Sequence, residues 1–273
     1  RGLRVVDASI MPTVVSGTFS TVSVGLGSTC ATNPAGDLFC WGSNSYGQLG
    51  LGNTMTFDTP QSTMLSNITQ FSVGAGHACA IDSSNQLRCW GRNDFGQIGD
   101  NTTANRSSPV TISGTWSSVS AGAYVTCAIS AGPGELHCWG RNSDAEIGQG
   151  STTPTMYTGP TRVGLDYYSQ IAVDSSTKTN ATGTHVCALN LMGGIQCWGS
   201  NRSGQNAAVG APINVLTPTA PDGMAYTAVF VGELQTCGRR TGGTWWCRGH
   251  NLENHLPTGF TSTVPQMVPR VRY

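Results

Sequence analysis

The residues best placed to do chemistry in this sequence are its 10 cysteines, which fall into five close pairs. Two thiols form a disulfide in an oxidising environment, or hold a metal ion where the spacing is the short Cys-x-x-Cys. That short spacing is absent, and nearly the same longer spacing recurs five times, which favours a disulfide within each pair over reduced thiols in a cytosolic core. The predicted pairs are Cys30/Cys40, Cys79/Cys89, Cys127/Cys138, Cys187/Cys197 and Cys237/Cys247.

The five histidines are the next candidates for chemistry, and their positions predict structural roles. His77 and His185 come two residues before the first cysteine of a pair, and His137 comes directly before a second cysteine. His250 and His255 are separated by a step that is not a known metal-ligand pattern. Neither a Gly-x-Ser-x-Gly elbow nor a Gly-x-Gly-x-x-Gly fingerprint occurs. We therefore predict no catalytic residue, no metal site and no cofactor.

Asparagine-linked glycosylation is a second modification that the sequence allows. Four of its Asn-x-Ser/Thr patterns fall in predicted loops, whereas Asn201 occupies a repeated asparagine position and is the weaker candidate. Disulfides and glycosylation both indicate the secretory pathway, so we expect an extracellular or cell-surface protein in its processed form. No stretch approaches the length of a membrane span. The five predicted acceptors are Asn67, Asn101, Asn105, Asn180 and Asn201.

These residues recur because the chain is built of repeats. The clearest copy runs from Cys79 to Gly99, and the copies begin about 48 to 60 residues apart, which is the range of solenoids and propellers. Within a copy, two alternating segments flank a turn and predict a hairpin. The other copies run from Cys30 to Gly50, from Cys127 to Gly148, from Cys187 to Gln205 and, in a weaker form, from Cys237 to Asn251.

Each repeat predicts three strands and a weaker fourth, which together form a meander of about fifty residues. Such a small sheet cannot bury both of its faces alone, and radial stacking of several sheets solves this problem. The predicted fold is therefore all-β, a β-propeller of four-stranded blades with five legible repeats and one intra-blade disulfide per blade.

The segments Cys40–Gly52 and Cys89–Gly99 closely resemble repeats of the regulator of chromosome condensation superfamily, and the resemblance extends over roughly residues 20 to 250. It implies a propeller, usually with seven blades. Because only five repeats are legible, the ring either closes with five blades or is part of a larger one. The Trp-Gly-x-Asn-x-x-Gly-Gln signature has glycines for unusual backbone angles and amides for loop bonds, so we expect it to join blades rather than bind ligand.

The charge balance opposes a nucleic-acid partner. Charged residues make up 10% of the 273 residues and the net charge at pH 7 is zero, whereas a DNA or chromatin binder shows a basic face. The nuclear role of the superfamily's namesake is therefore not expected here.

We divide the chain into an N-terminal segment, 1–19, and one propeller domain, 20–273, with blades at about 20–66, 67–113, 114–163, 164–221 and 222–273. Residues 2–17 resemble the C-terminal signature of glucose-methanol-choline oxidoreductases. They are either a remnant of an upstream oxidoreductase domain or a strand, Pro12–Ser16, that closes the ring. The segment beginning at Val264 competes with that strand for the outer edge of the last blade.

Our leading functional hypothesis is an extracellular, non-catalytic binding or assembly module that presents its loops to a protein or glycan partner, as a lectin or a filament component does. One alternative is an accessory domain of a secreted flavin-dependent oxidoreductase. Another is a propeller-type enzyme inhibitor, in which Tyr46, Phe95 and Tyr124 are surface anchors. Packing between blades is the competing explanation for those three aromatic residues, and the one we favour. The ligand-binding residues and the oligomeric state are unknown at this level.

Overall fold

A computed structural model describes residues 19–175, 184–206, 212–232, 234–249 and 262–268. Every regular element in these ranges is a β-strand. Within the same ranges there is no helix with the length and apolar character needed to cross a membrane.

The strands form five consecutive four-stranded antiparallel blades. Blade 1 contains β1 (Thr21–Val24), β2 (Ser28–Thr32), β3 (Leu38–Gly42) and β4 (Phe57–Ser62). Blade 2 contains β5 (Ile68–Val73), β6 (His77–Asp82), β7 (Leu87–Gly91) and β8 (Arg106–Ile112). Blade 3 contains β9 (Trp116–Ala121), β10 (Val125–Ser130), β11 (Glu135–Arg141) and the first part of β12 (Met156–Val173). Blade 4 contains the rest of β12, β13 (His185–Asn190), β14 (Ile195–Ser200) and β15 (Asn214–Thr219). Blade 5 contains β16 (Tyr226–Gly232), β17 (Gln235–Arg240), β18 (Trp245–Gly249) and β19 (Ser262–Val268).

Strand β12 belongs to two blades. Its residues from Met156 to Tyr167 pair with β11, and those from Tyr168 to Val173 pair with β13. The all-β propeller of four-stranded blades is thus confirmed. The division into domains and blade boundaries stays a prediction, and residues 1–18 lie outside the described residues.

Side chains of Asn and Asp fix the turn between the second and third strands of a blade. The Oδ1 atom of Asn33 accepts hydrogen bonds from the backbone N–H groups of Ala35 and Asp37, at 3.0 and 2.9 Å. Asp82 and Asn190 make the same pair of bonds in blades 2 and 4. These residues favour tight turns because their side chains can replace backbone partners. The turn aligns the two strands and so brings the cysteines opposite one another.

Each blade holds one disulfide between these two strands, which confirms the prediction of one intra-blade disulfide per blade. The bonded cysteines are directly paired in the sheet register, with Cα atoms 4.1 Å apart in every blade. Antiparallel residues that face each other without exchanging backbone bonds lie at about 4.5 Å, which suits such a bridge. The bonds join Cys30 to Cys40, Cys79 to Cys89, Cys127 to Cys138, Cys187 to Cys197 and Cys237 to Cys247.

The hydrophobic core lies between consecutive blades rather than within one. Leu38 and Leu49 of blade 1 share a buried cluster with Phe71 and Trp90 of blade 2. Since a single sheet leaves one apolar face uncovered, each blade depends on its neighbour for burial.

The last blade takes its outer strand from the C-terminal segment. β19 pairs with β18, with Val268 opposite Trp245. Of the two candidates for this edge, the segment containing Val264 therefore occupies it. The competing strand, Pro12–Ser16, lies outside the described residues.

Candidate functional site

The tryptophan of the repeat signature joins one blade to the preceding blade. Trp90 is completely buried, and its indole N–H donates to the carbonyl oxygen of Gln48 in blade 1 at 2.9 Å. Gly50 completes the socket: a Cβ atom at this position would approach the Trp90 ring to 2.8 Å. The two equivalent bonds run from Trp139 to Gln97 and from Trp198 to Glu146.

The asparagine of the signature stabilises the loop that contains Gly50 through hydrogen bonds to its backbone. Asn44 is buried, and its Nδ2 donates to the carbonyl oxygens of Asn53 and Met55 at 3.0 and 2.9 Å. Its Oδ1 accepts from the backbone N–H of Leu49 at 2.9 Å. The signature residues are therefore committed to loop structure and blade contacts. The equivalent asparagines accept the same backbone bond, and they are Asn93, Asn142 and Asn201.

Glutamine side chains bridge the innermost strands of two blade pairs. Gln70 of blade 2 donates through Nε2 to the carbonyl oxygen of Val119 at 3.0 Å and accepts from its N–H at 2.7 Å. Gln170 of blade 4 makes the same two bonds with Val229 of blade 5, at 2.8 and 3.0 Å. A two-point bond of this kind satisfies both backbone groups of the neighbouring strand.

His77 and His185 also lie between blades. The Nε2 atom of His77 is 2.8 Å from Thr126 Oγ1 in blade 3, and that of His185 is 3.0 Å from Thr236 Oγ1 in blade 5. Burial lowers the pKa of His77 to about 4 and that of His185 to about 3. A carboxylate oxygen of Asp174 lies 3.8 Å from His185 Nδ1, too far for a hydrogen bond, and burial dominates. Both rings are thus neutral structural groups at pH 7.

The remaining predicted chemistry is sparse. His137 belongs to no metal-binding cluster, because no group of His, Cys, Asp and Glu among the described residues could hold a metal ion. His250 and His255 lie outside the described residues.

The predicted glycosylation acceptors occupy different environments. Asn67, Asn101 and Asn105 are exposed, whereas Asn201 is 7% exposed and its Nδ2 donates to the carbonyl oxygen of Pro212 at 3.2 Å. Asn180 lies outside the described residues. Glycosylation stays a prediction for all five positions and is least expected at Asn201.

A ladder of aromatic and arginine side chains crosses the loop ends of blades 1 to 3. We call Tyr46, Arg92, Phe95, Tyr124 and Arg141 the Tyr–Arg ladder. The guanidinium of Arg92 lies 4.9 Å from the Tyr46 ring centroid and 5.3 Å from that of Tyr124. Arg141 stacks on the same tyrosine at 5.1 Å, and Phe95 meets it edge-on at 5.2 Å. Contacts between blades thus hold the three predicted anchor aromatics, as the packing explanation expects, while Tyr46 remains 37% exposed.

Carboxylates neutralise the guanidinium groups of this face. Arg92 pairs with Asp94 at 2.6 Å, and Arg141 pairs with Glu146 at 2.7 Å. Glu146 is fully buried, and burial raises its pKa while Arg141 opposes the shift. Arg202 reaches Asp144 at 3.4 Å. The face therefore offers planar aromatic and guanidinium surfaces with little net charge.

Sequence reasoning named the aromatic members of the ladder but missed its arginines. Arg92 and Arg141 follow the Trp-Gly pair directly, a position that Ser43 and Ser200 occupy in blades 1 and 4. The sequence thus distinguishes blades 2 and 3 from blades 1 and 4 at this position of the repeat. The meaning of this difference depends on Tyr124 lying between the two arginines, which only the packing of blade 2 against blade 3 produces.

The fold and this face define a class: a repeat β-propeller, of the kind that serves as a binding or structural module. Sequence models described as the regulator of chromosome condensation (RCC1) repeat match residues 35–81 and 86–129, and a second model of the same repeat matches 19–48, 68–97 and 116–145. These matches lie within residues 19–145, and the chain is thus similar to RCC1 repeat propellers. The matches begin at residue 19, so the oxidoreductase resemblance of residues 2–17 gains no support.

Solved structures show the same fold at low sequence identity. Human WBSCR16 is 20% identical with a TM-score of 0.80, over 94% of this chain and 68% of that chain. Yeast RCC1 (Prp20), solved bound to Kap60, is 14% identical with a TM-score of 0.57, over 92% of this chain and 75% of that one. The ectodomain of the Physcomitrella patens receptor kinase CR4 is 20% identical with a TM-score of 0.53, over 91% and 55%. No curated protein sequence matches this chain.

Proposed function

We propose that this chain is an extracellular, non-catalytic binding module that presents the Tyr–Arg ladder to a protein partner. The observation that supports this proposal is the composition of the Tyr–Arg ladder. Tyrosine and arginine are enriched where binding energy concentrates in protein interfaces, because both offer large planar contact areas with polar groups at the edge. Stacking and ion pairs already fix the side chains, so less rotamer entropy is lost when a partner binds.

Exposed apolar residues extend this surface. Leu26, in the turn between β1 and β2, is 61% exposed, and Met55, in the loop before β4, is 64% exposed. Both lie at the same end of blade 1 as Tyr46. An apolar margin next to an aromatic and arginine patch fits a protein surface better than a phosphate backbone, since the arginines are already paired.

The disulfides support the proposed compartment. Five bonds within one chain persist in an oxidising environment and are rare in the cytosol. Related propellers support both parts of the proposal: yeast Prp20 was solved with the protein Kap60, and the receptor kinase CR4 uses this fold as an ectodomain.

Site-specific photo-crosslinking in the native host tests the proposal. A photoreactive phenylalanine analogue replaces Tyr46 in the ladder or, as the control, Met192, which is 94% exposed in the turn between β13 and β14 at the opposite end of the blades. We expect a discrete crosslinked protein from position 46 and none from position 192. Identical products from both positions would contradict the proposal.

The purified crosslinked protein then allows a quantitative test. Arg92→Ala removes the central rung of the ladder, so its affinity for the partner should fall about tenfold or more, as for an interface hot spot. Arg88→Ala is the matched control because Arg88 lies outside the ladder, in an ion pair with Asp82 in the same blade. Equal affinity of the two variants would show that the ladder is not the binding surface. An enzyme as the captured partner would identify the inhibitor form of the proposal, and a flavin-dependent oxidoreductase the accessory form.

A further inference from the structure

A cavity beside blade 3 supports an inference that goes beyond the proposed protein-binding function. Its volume is about 630 Å³, within the range of small-molecule sites. It lies where the connection from blade 2 into β9 passes the first residues of β12. Trp116 and Ser130, at the start of β9 and the end of β10, lie at the opposite end of these strands from Tyr124. The lining continues along β12 to Tyr157, which pairs with Gly140 beside the ladder residue Arg141.

Blade 2 has an ion pair at the equivalent place. The residues equivalent to Ser130 and His137 are Asp82 and Arg88, as their pairing partners in the sheets show. Arg88 and Asp82 form an ion pair at 2.8 Å, and the space beside them is about 260 Å³. Blade 3 has two shorter uncharged side chains at these positions, and its cavity extends further, to Asn101 and Tyr157.

Blade 4 closes the same position in another way. Tyr168, equivalent to Trp116, donates its hydroxyl to Gln196 Oε1 at 2.6 Å. The Nε2 atom of Gln196 donates to Asp166 at 2.7 Å. Polar groups of blades 2 and 4 thus satisfy one another, whereas in blade 3 the Nε1 of Trp116 is buried without a hydrogen-bond partner among the described residues.

The lining has the chemistry of a site for an uncharged polyhydroxylated ring. Tyr157 is only partly buried and supplies aromatic surface, whereas Trp116 lines the cavity with just 3% of its side chain exposed. Hydroxyl groups of serine and threonine and the side chain of Asn101 surround them, and no Lys, Arg, Asp or Glu lines the cavity. Burial lowers the pKa of His137, so this ring is also neutral at pH 7. The serine and threonine hydroxyls and the Asn101 amide match a ligand whose hydroxyls both donate and accept.

We propose that this cavity binds a neutral sugar ring of about monosaccharide size. Two alternative sources can supply this sugar. One is a free or partner-borne glycan, and the other is a glycan attached to Asn101, which lines the cavity and is itself a predicted acceptor. In both cases the ligand is a pyranose ring in the same cavity.

Ligand-observed NMR on two forms of the whole protein separates these sources. The Thr103→Ala variant loses the acceptor pattern at Asn101 without changing a lining residue. Methyl α-mannoside, methyl β-glucoside, methyl β-galactoside and N-acetylglucosamine are titrated separately, with tryptophan fluorescence as the second readout. We expect saturable binding of at least one sugar to Thr103→Ala. Equal binding to the glycosylated wild type indicates an external glycan, and loss of binding there indicates the attached one.

Sibling blades provide the variants that test the site. Trp116→Ile introduces the residue of blade 2, Ile68, and should weaken binding about tenfold or more. His137→Arg with Ser130→Asp rebuilds the ion pair of blade 2 inside the cavity and should abolish binding while the protein remains folded. Met192→Ala, in an exposed turn outside the ladder and the cavity, should leave binding unchanged. Absence of saturable binding to all four sugars, or unaltered binding by the rebuilt pair, would overturn the proposal.

Discussion

At the scale of single residues, one hydrogen bond distinguishes the tryptophans of blades 2, 3 and 4 from that of blade 1. In blades 2, 3 and 4 the ring is buried and its N–H reaches a carbonyl oxygen of the preceding blade. In blade 1, Trp41 is 4% exposed, yet its Nε1 has no acceptor among the described residues. The same residue type thus occurs with and without the bond.

This difference predicts unequal effects of one substitution. Trp90→Phe removes the bond and leaves the Gln48 carbonyl unsatisfied in a buried site, so unfolding free energy should fall by about 3 to 5 kcal/mol from lost packing and lost bonding together. Trp41→Phe removes a similar volume but no bond, and should have a smaller effect by about 1 to 2 kcal/mol. Chemical denaturation of both variants measures the difference. Equal losses would mean that the bond contributes nothing.

His77 predicts an acid-sensitive junction between blades 2 and 3. Burial holds its pKa near 4 in the folded protein, below the value of 6.5 in an unfolded chain. The unfolded state therefore binds the proton first as the pH falls, and stability present above pH 6.5 is lost towards pH 4. Between pH 6.5 and 5 this histidine alone should lower the unfolding free energy by about 2 kcal/mol.

Glutamine is the matched replacement for His77, because Gln235 occupies the equivalent position in blade 5. It keeps an amide donor for Thr126 but does not titrate. The stability loss of His77→Gln between pH 6.5 and 5, measured by urea unfolding, should therefore be smaller by about 2 kcal/mol. A pH dependence identical to that of the wild type would show that His77 is not the titrating group.

At the scale of elements, the periodicity of the sequence predicted the features that interactions between nearby residues determine. Alternation and turn residues located the hairpins, and one repeated spacing located the disulfides, because both depend on residues within about ten positions. Features that depend on how blades meet were not predictable in this way. β12 runs through Tyr167 and Tyr168 from one blade into the next, and the cavity beside Trp116 exists only because of what blade 3 lacks.

The loop glycines divide into two groups that a pair of variants can separate. Gly99 has a φ of +87°, and an added Cβ would lie 2.6 Å from the Trp139 ring nitrogen. Gly52 has a φ of +77°, but its nearest contact would be at 3.5 Å. Gly52→Ala should lower the unfolding free energy by about 1 to 2 kcal/mol from backbone strain alone. Gly99→Ala should lose about 1 to 3 kcal/mol more from overpacking, as thermal unfolding can measure. Similar losses would show that the socket accommodates a methyl group.

At the scale of the whole molecule, neighbouring blades are joined by bonds of the same kinds at several radii. Glutamine and serine side chains connect innermost strands, histidines connect the second strands, and tryptophans connect the loops further along. Because each bond joins consecutive blades, stability accumulates from nearest-neighbour contacts, as in other repeat proteins. The surface is left free to differ between blades, which is why the ladder crosses blades 1 to 3 and the cavity belongs to blade 3.

Passage through a secretory pathway should leave a pattern on this surface that burial determines. Asn67 and Asn101 are exposed in loops, whereas Asn201 is buried with both amide atoms bonded to the chain, so a transferase would have to break these bonds to reach it. Peptide mapping after enzymatic release of glycans, which converts each occupied asparagine to aspartate, should find modification at Asn67 and Asn101 and none at Asn201. An intact mass lacking ten hydrogens should accompany it, one pair for each disulfide. Free thiols in the native protein would contradict the oxidising compartment, and a glycan on Asn201 would mean that its loop is modified before blade 4 folds.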